Sequence, residues 1–146
     1  MNASSIREDV EIGEYTIVGR GVAVENKTKI GKYVKIETNA YITAISTIED
    51  YCFIAPNVTF TNDNFLGRTE ERKKYFKGPT LKKGARIGAN STILPGIVIA
   101  EDTLDAAGSV VTKDTKPRKI YMGVPAREYK DVPIEQLSEN QAYYRE

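Results

Sequence analysis

The chain has 146 residues, 40% apolar and 28% charged, with a formal net charge of +1, so one globular domain is expected and no basic footprint points to nucleic acid or an anionic membrane. One cysteine, Cys52, and no histidine exclude a disulfide framework, a structural zinc site and any imidazole-based catalytic triad. No apolar run approaches the ~20 residues of a membrane span and no secretory signal opens the chain, so a cytoplasmic protein without a metal is expected.

From Ile6 onward every sixth residue is apolar: Ile6, Ile12, Val18, Val24, Ile30, Ile36, Ile42, Ile48, Ile54 and Phe60. The fourth residue after each is small or β-branched, as at Val22, Thr28, Val34, Ala40, Ser46 and Cys52. Neither a helical period of 3.6 nor a strand period of 2 produces this pattern. It describes a chain that turns every six residues and points one large and one smaller side chain inward from each short extended piece. Glycine often follows the apolar residue, as at Gly13, Gly19, Gly31 and Gly88, and suits a bend because it has no Cβ. Three pieces make a triangular coil, and coils must stack to bury their cores.

The phase breaks over residues 61–79, TNDNFLGRTEERKKYFKGP. This polar stretch is too long for a coil turn and should project from one corner as a loop, where function often sits on a rigid scaffold. The period resumes at Leu81, Ile87, Ile93 and Ile99, meets Asp105 where an apolar residue is expected, and returns at Val111. An unpaired carboxylate in that position is costly, so a partner or a distorted coil is expected there. Beyond it, Pro117, Pro125 and Pro133 predict irregular chain over 115–132. A short helix is expected over 133–144, with Ile134, Leu137, Gln141 and Tyr144 on one side as a cap. The fold expected is all-β, a single parallel β-helix domain over 1–146. Its coils lie at about 6–60 and 80–114, its loop at 61–79 and its C-terminal extension at 115–146.

Several strings go beyond the general period. The segment from Ile54 to Asp63, IAPNVTFTND, resembles the lead into the active-site loop of sugar acetyltransferases, and Ile87 to Gly96, IGANSTILPG, resembles the coil after it. The segments Ala106 to Asp114, AAGSVVTKD, and Gly123 to Arg127, GVPAR, resemble their acetyl-CoA-binding end. The resemblance, to the hexapeptide-repeat acyltransferases, runs from about Ile6 to Arg127. It is nearest to the N-acetyltransferases of nucleotide-linked amino sugars, which carry a string like Phe60-Thr61-Asn62 just before the loop. It implies a left-handed β-helix, an exception to the usual crossover hand, and a homotrimer with acetyl-CoA and sugar sites between subunits. It further implies that the small residues Ala89 and Ala107 let the pantetheine arm reach the backbone. Thr112, Lys113 and Arg127 match positions that meet the nucleotide end of CoA, whose phosphates favour cationic donors. Where those amino-sugar enzymes carry a tyrosine-glutamate-glycine string, this chain has Thr43-Ala44-Ile45.

Enzymes of this superfamily that acetylate hydroxyls use a loop histidine as base, whereas the loop here reads Asn62-Asp63-Asn64-Phe65. An amine needs less help. With a pKa of ~8, about a tenth of it is already neutral at pH 7. The expected activity is therefore acetyl transfer to the amino group of a nucleotide-linked deoxysugar. In that reading Asn62 orients the amine, and a backbone N–H near the loop stabilises the thioester oxyanion. Asp63 accepts a proton or shapes the loop as an Asx turn, and both readings stand. Arg68, Arg72, Lys73 and Lys74 are candidates for a diphosphate, and Lys116, Arg118 and Lys119 for CoA. Tyr33, Tyr41 and Tyr51 face outward and suit a subunit interface, and Cys52 reads as core. The alternatives are an O-acetyltransferase with Asp63 as base, or a non-catalytic β-helix scaffold.

Overall fold

Two-residue strands recur every six residues from Ser5–Ile6 to Thr59–Phe60 and again from Thr80–Leu81 to Val110–Val111, and stack into three parallel faces. This is the structure of a computed structural model, which describes residues 3–142. The first face stacks Ser5–Ile6, Ala23–Val24, Tyr41–Ile42, Thr59–Phe60, Thr92–Ile93 and Val110–Val111. The second stacks Glu11–Ile12, Lys29–Ile30, Thr47–Ile48, Thr80–Leu81 and Val98–Ile99. The third stacks Ile17–Val18, Lys35–Ile36, Phe53–Ile54, Arg86–Ile87 and Leu104–Asp105. The chain coils as a left-handed parallel β-helix, the all-β class expected.

Stacked residues lie 18 apart, as in Ala23↔Tyr41, and 33 apart across the loop, as in Thr47↔Thr80. The loop therefore inserts 15 residues into one coil without shifting its register. The second residue of each strand points inward. Val24, Ile36, Ile42, Ile54, Phe60, Leu81, Ile87, Ile93 and Ile99 are all fully buried. Each such side chain contributes roughly 1.5–3 kcal/mol on leaving water. The smaller inward positions, Val22, Val34, Ala40, Cys52, Val58 and Ala85, are buried beside them.

Three expectations are corrected. Ile6 and Ile12, read as core, are 47% and 38% exposed, because nothing among the described residues stacks beneath the first coil. The glycines after the apolar positions are not the bend residues. The left-handed backbone falls two residues further on, at Tyr15, Tyr33, Ile45, Tyr51, Asn57 and Asn90. Gly88 is needed instead for close approach, since a Cβ there would lie 2.4 Å from the Ala107 nitrogen of the next coil. The C-terminal region, expected to be irregular and then helical, is an antiparallel hairpin, Lys119–Gly123 with Ala126–Asp131, followed by single 3-10 turns at Ile134–Gln136 and Ser138–Asn140. The hairpin forms because Ile120 and Tyr121 extend the third face above Leu104 and Asp105. No α-helix forms over the described part of 133–144 because Asp102 accepts both the N–H and the hydroxyl of Ser138 at 3.0 Å, pinning the chain to the solenoid. Of the expected apolar side, Leu137 is buried, Ile134 is 74% exposed and Tyr144 lies outside the described residues.

Candidate active site

Three corners run along the prism. The loop corner joins the first face to the second and carries residues 61–79. The tyrosine corner joins the second to the third, and there Tyr15, Tyr33 and Tyr51 stack with ring centres 5.0 and 5.5 Å apart. The alanine corner joins the third face to the first and carries Ala89 and Ala107 one above the other, with the Gly108 N–H donating to Ala89 O at 2.8 Å.

At the loop corner, Thr61 Oγ1 donates to Ile93 O at 2.9 Å and starts the loop from the coil wall. Asn62 follows, half-buried. Its Nδ2 donates to Ala44 O at 3.4 Å, and its Oδ1 accepts nothing among the described residues. One end of the amide is therefore anchored and the other is an open acceptor. Asp63 is differently employed. Its two oxygens accept the N–H groups of Phe65 at 2.8 Å and Gly67 at 2.7 Å, and Arg72 Nη1 stands 3.7 Å away. Loss of water works to raise its pKa, but the Gly67 and Phe65 N–H groups and the Arg72 guanidinium outweigh it and hold the carboxyl below its usual range. Arg72 also lies over the Phe76 ring at 5.0 Å, so it staples the two limbs of the loop together. Lys73 pairs with Glu70 at 2.7 Å. Of the four loop cations considered for a diphosphate, Arg72 and Lys73 are thus engaged within the loop.

Thr112 and Lys113 lie on the loop corner two coils above Thr61, linked through the Thr61 N–H to Ile93 O and the Leu94 N–H to Val111 O, both 3.1 Å. Lys113 is exposed. Arg127 is on the other side: it faces Met122 in the hairpin, whose turn stands above the alanine corner because the Gly123 N–H donates to Ser109 Oγ at 3.2 Å. The structure brings Ala89, Ala107 and Arg127 to one corner, and Asn62, Asp63, Thr112 and Lys113 to another. Within one chain the two groups stay apart, at opposite edges of the first face. The outward residues of that face are Ser5, Ala23, Tyr41, Thr59, Thr92 and Val110, none of them charged, whereas the other faces present Glu11, Lys29, Lys35 and Arg86.

Other candidates lie elsewhere or are occupied. Tyr33 and Tyr51 belong to the tyrosine corner, away from the first face, while Tyr41 lies on it. Lys116 faces Glu128 at 3.7 Å, and Lys119 bonds Asp131. Cys52 is buried, its thiol donates to Lys82 O at 3.2 Å, and burial pushes its pKa far up, so it is packing and not a nucleophile. No group of metal-ligating side chains occurs among the described residues, and no helix among them is long and apolar enough to cross a membrane. Ala44, which anchors Asn62, was missed from sequence. The signal was present, since position 44 stacks 18 residues below position 62 in the coil arithmetic.

No family model matches the chain. It is 30% identical over 126 residues to the bifunctional protein GlmU of Thermotoga petrophila, covering 82% of this chain and 27% of that protein. Over 47 residues it is 51% identical to the dTDP-3-amino-3,6-dideoxy-alpha-D-galactopyranose 3-N-acetyltransferase of Aneurinibacillus thermoaerophilus, covering 32% of this chain and 24% of that enzyme. Among solved structures it superposes on a mutant of perosamine N-acetyltransferase from Caulobacter crescentus in complex with CoA and GDP-perosamine, with a TM-score of 0.76, 25% identity, and 88% of this chain and 54% of that one covered. The chain thus spans about a quarter of the length of the curated relatives named here and about half of the solved one.

Proposed function

We propose that this chain, which belongs to the hexapeptide-repeat acyltransferase family, transfers the acetyl group of acetyl-CoA to the amino group of a nucleotide-linked deoxy-amino sugar. The observation that carries this reading is the state of Asn62. Its amide is held by Ala44 O and leaves Oδ1 open to accept one N–H of a neutral amine, turning the nitrogen lone pair toward the thioester. The amine attacks the thioester carbonyl, the C–S bond breaks and CoA leaves as its thiolate, while the surplus amine proton passes to solvent and solvent protonates the thiolate. No imidazole is needed for this step. It is favoured over deprotonation of a hydroxyl by Asp63, whose oxygens already accept two backbone N–H groups and whose depressed pKa makes it a weak base.

The separation of the two residue groups supports a homotrimer. Copies packed side by side around a threefold axis bring the loop corner of one against the alanine corner of the next, along the uncharged first face. The cleft so formed holds the pantetheine arm beside Ala89 and Ala107 and the CoA phosphates near Arg127, with Thr112 and Lys113 approaching from the neighbouring copy. Acetyl-CoA acts as co-substrate, no metal is required, and a cytoplasmic location is part of the proposal because acetyl-CoA is a cytoplasmic metabolite.

The test is thiol release from acetyl-CoA with a panel of nucleotide-linked sugars, 3-amino and 4-amino forms beside their hydroxyl counterparts. Release with an amino sugar and none with its hydroxyl twin is expected. Release with the hydroxyl sugar alone would overturn the amine assignment, and absence of CoA binding would overturn the enzyme.

A further inference from the structure

Buried hydroxyls fix the peptide planes at two corners in the same way. At the loop corner the Thr43 carbonyl accepts Thr28 Oγ1 at 3.2 Å and Ser46 Oγ at 2.7 Å. At the alanine corner the Ala106 carbonyl accepts Ser91 Oγ at 3.1 Å and Ser109 Oγ at 2.7 Å. In both clamps one hydroxyl comes 15 residues before the carbonyl and the other 3 residues after it. All four hydroxyl residues are buried, so the carbonyls they hold point into the core.

A trans peptide places its C=O and N–H on opposite sides of one plane. With the Ala106 carbonyl turned inward, the Ala107 N–H turns outward. Ala107 is exposed, and its N–H has no acceptor among the described residues. The equivalent groups at the tyrosine corner are covered. There the Gly31 and Lys82 carbonyls accept Thr16 Oγ1 and Cys52 Sγ, while the next N–H groups, of Lys32 and Lys83, donate to Asp50 Oδ1 at 2.9 Å and Glu49 Oε1 at 3.1 Å. At Ala107 no carboxylate plays that part, and Gly88 withholds the Cβ that would sit over the nitrogen. Ser109 Oγ also accepts the Gly123 N–H, which ties the clamp to the hairpin that carries Arg127.

We infer that Ser91 and Ser109 are positioning residues for the acyl donor: by holding the Ala106 carbonyl inward they aim the Ala107 N–H at an amide carbonyl of the pantetheine arm. The inference rests on the acyl-CoA reading above and adds to it two residues that never touch the ligand. Ser91 should tolerate threonine, because Thr28 makes the equivalent bond in the sister clamp.

The experiment is titration calorimetry of CoA, which binds without reacting, into the full chain. The Ser91→Ala, Ser109→Ala double variant should bind CoA at least tenfold more weakly, and Ser91→Thr should stay within twofold of the parent. The control is the Thr28→Ala, Ser46→Ala double variant, which removes the matching pair of hydroxyl-to-carbonyl bonds from the other corner. It should also lose thermal stability, and it should keep the parent CoA affinity. Equal weakening by both double variants would reduce the clamp to general support of the fold and overturn the inference, as would an unchanged affinity in the serine variant. Should the serine double variant fail to fold, Ser91→Ala against Ser91→Thr makes the same comparison. A parent protein that binds no CoA would overturn the acyl-CoA reading itself, and the inference with it.

Discussion

Replacing Asp105 by asparagine should stabilise the protein above pH 6 and leave its relative stability lowest near pH 4. Asp105 occupies an inward position of the last coil, stacked between Ile87 and Tyr121, and is fully buried with neither carboxylate oxygen partnered among the described residues. The hydroxyls of Ser91 and Ser109 lie nearby but donate to Ala106 O. Burial pushes the carboxyl up to about 6 from its ordinary 3.8, opposed in part by those hydroxyls. The folded protein therefore keeps this proton to higher pH than the unfolded chain does. Between roughly pH 3.8 and 6 the folded state binds more protons, so stability falls as pH rises and is level again above that window. At about 1.4 kcal/mol per unit, the loss comes to about 3 kcal/mol. Asparagine keeps the shape and cannot ionise, though its amide also needs partners, so the expected gain at pH 7.5 is about 1–3 kcal/mol. The assay is denaturant unfolding of both proteins from pH 4 to 8 at one protein concentration, because an assembly's stability depends on concentration. The free-energy difference between variant and parent cancels every other titration they share, and it should climb through pH 4–6 and then level off. A flat difference, or a variant less stable than the parent at pH 8, would refute the reasoning.

Asn62→Ala should lower turnover at least tenfold with CoA affinity and oligomeric state intact, measured by steady-state thiol release and calorimetry. Unchanged kinetics would remove Asn62 from the site. Asp63→Ala should slow turnover by freeing the Phe65 and Gly67 N–H groups and unlatching Arg72, but it should leave the shape of the pH–rate profile between pH 6 and 9 unchanged. Because the Asp63 pKa is depressed, it stays ionised throughout that range, and the rate should rise with pH only as the substrate amine loses its proton. Disappearance of an acidic limb in the variant would restore Asp63 as the base. Arg127→Ala should weaken CoA binding about three- to tenfold at low salt, with most of the difference gone at 0.5 M salt, since an exposed cation acts through a screened field; a salt-independent loss would indicate packing instead.

The six-residue period was legible because burial along a solenoid depends on spacing alone: an inward position recurs at fixed separation, and Ile30 through Ile99 fill it. The loop was legible for the same reason, as the interval where that spacing fails between Phe60 and Leu81. End effects were less visible. Ile6 and Ile12 obey the pattern yet stay exposed, because burial needs a neighbouring coil as well as the right position. The bend residues were misplaced because the left-handed positions hold tyrosine, isoleucine and asparagine more often than glycine, while glycines such as Gly88 answer to a contact from the next coil. The C-terminal stripe beginning at Ile134 follows a helical spacing, but Asp102, far away in sequence, captures Ser138 and decides the path.

For the site, the sequence by itself determined the residue types: no imidazole, an asparagine at the root of the loop, small residues at one corner and cations near the chain's end. The tertiary structure decided how each is employed. It showed Asp63 saturated by its own loop, Asn62 anchored at one end and open at the other, the Ala107 N–H turned outward, and the two residue groups separated by an uncharged face. Apart from the contacts of Asp63, which are local to its loop, these are relations between residues 15, 18 or 33 positions apart. Such relations arise only when coils stack, because a hydrogen bond needs its donor and acceptor within about 3 Å of each other, and spacing along the chain does not say which carbonyl a buried hydroxyl will find.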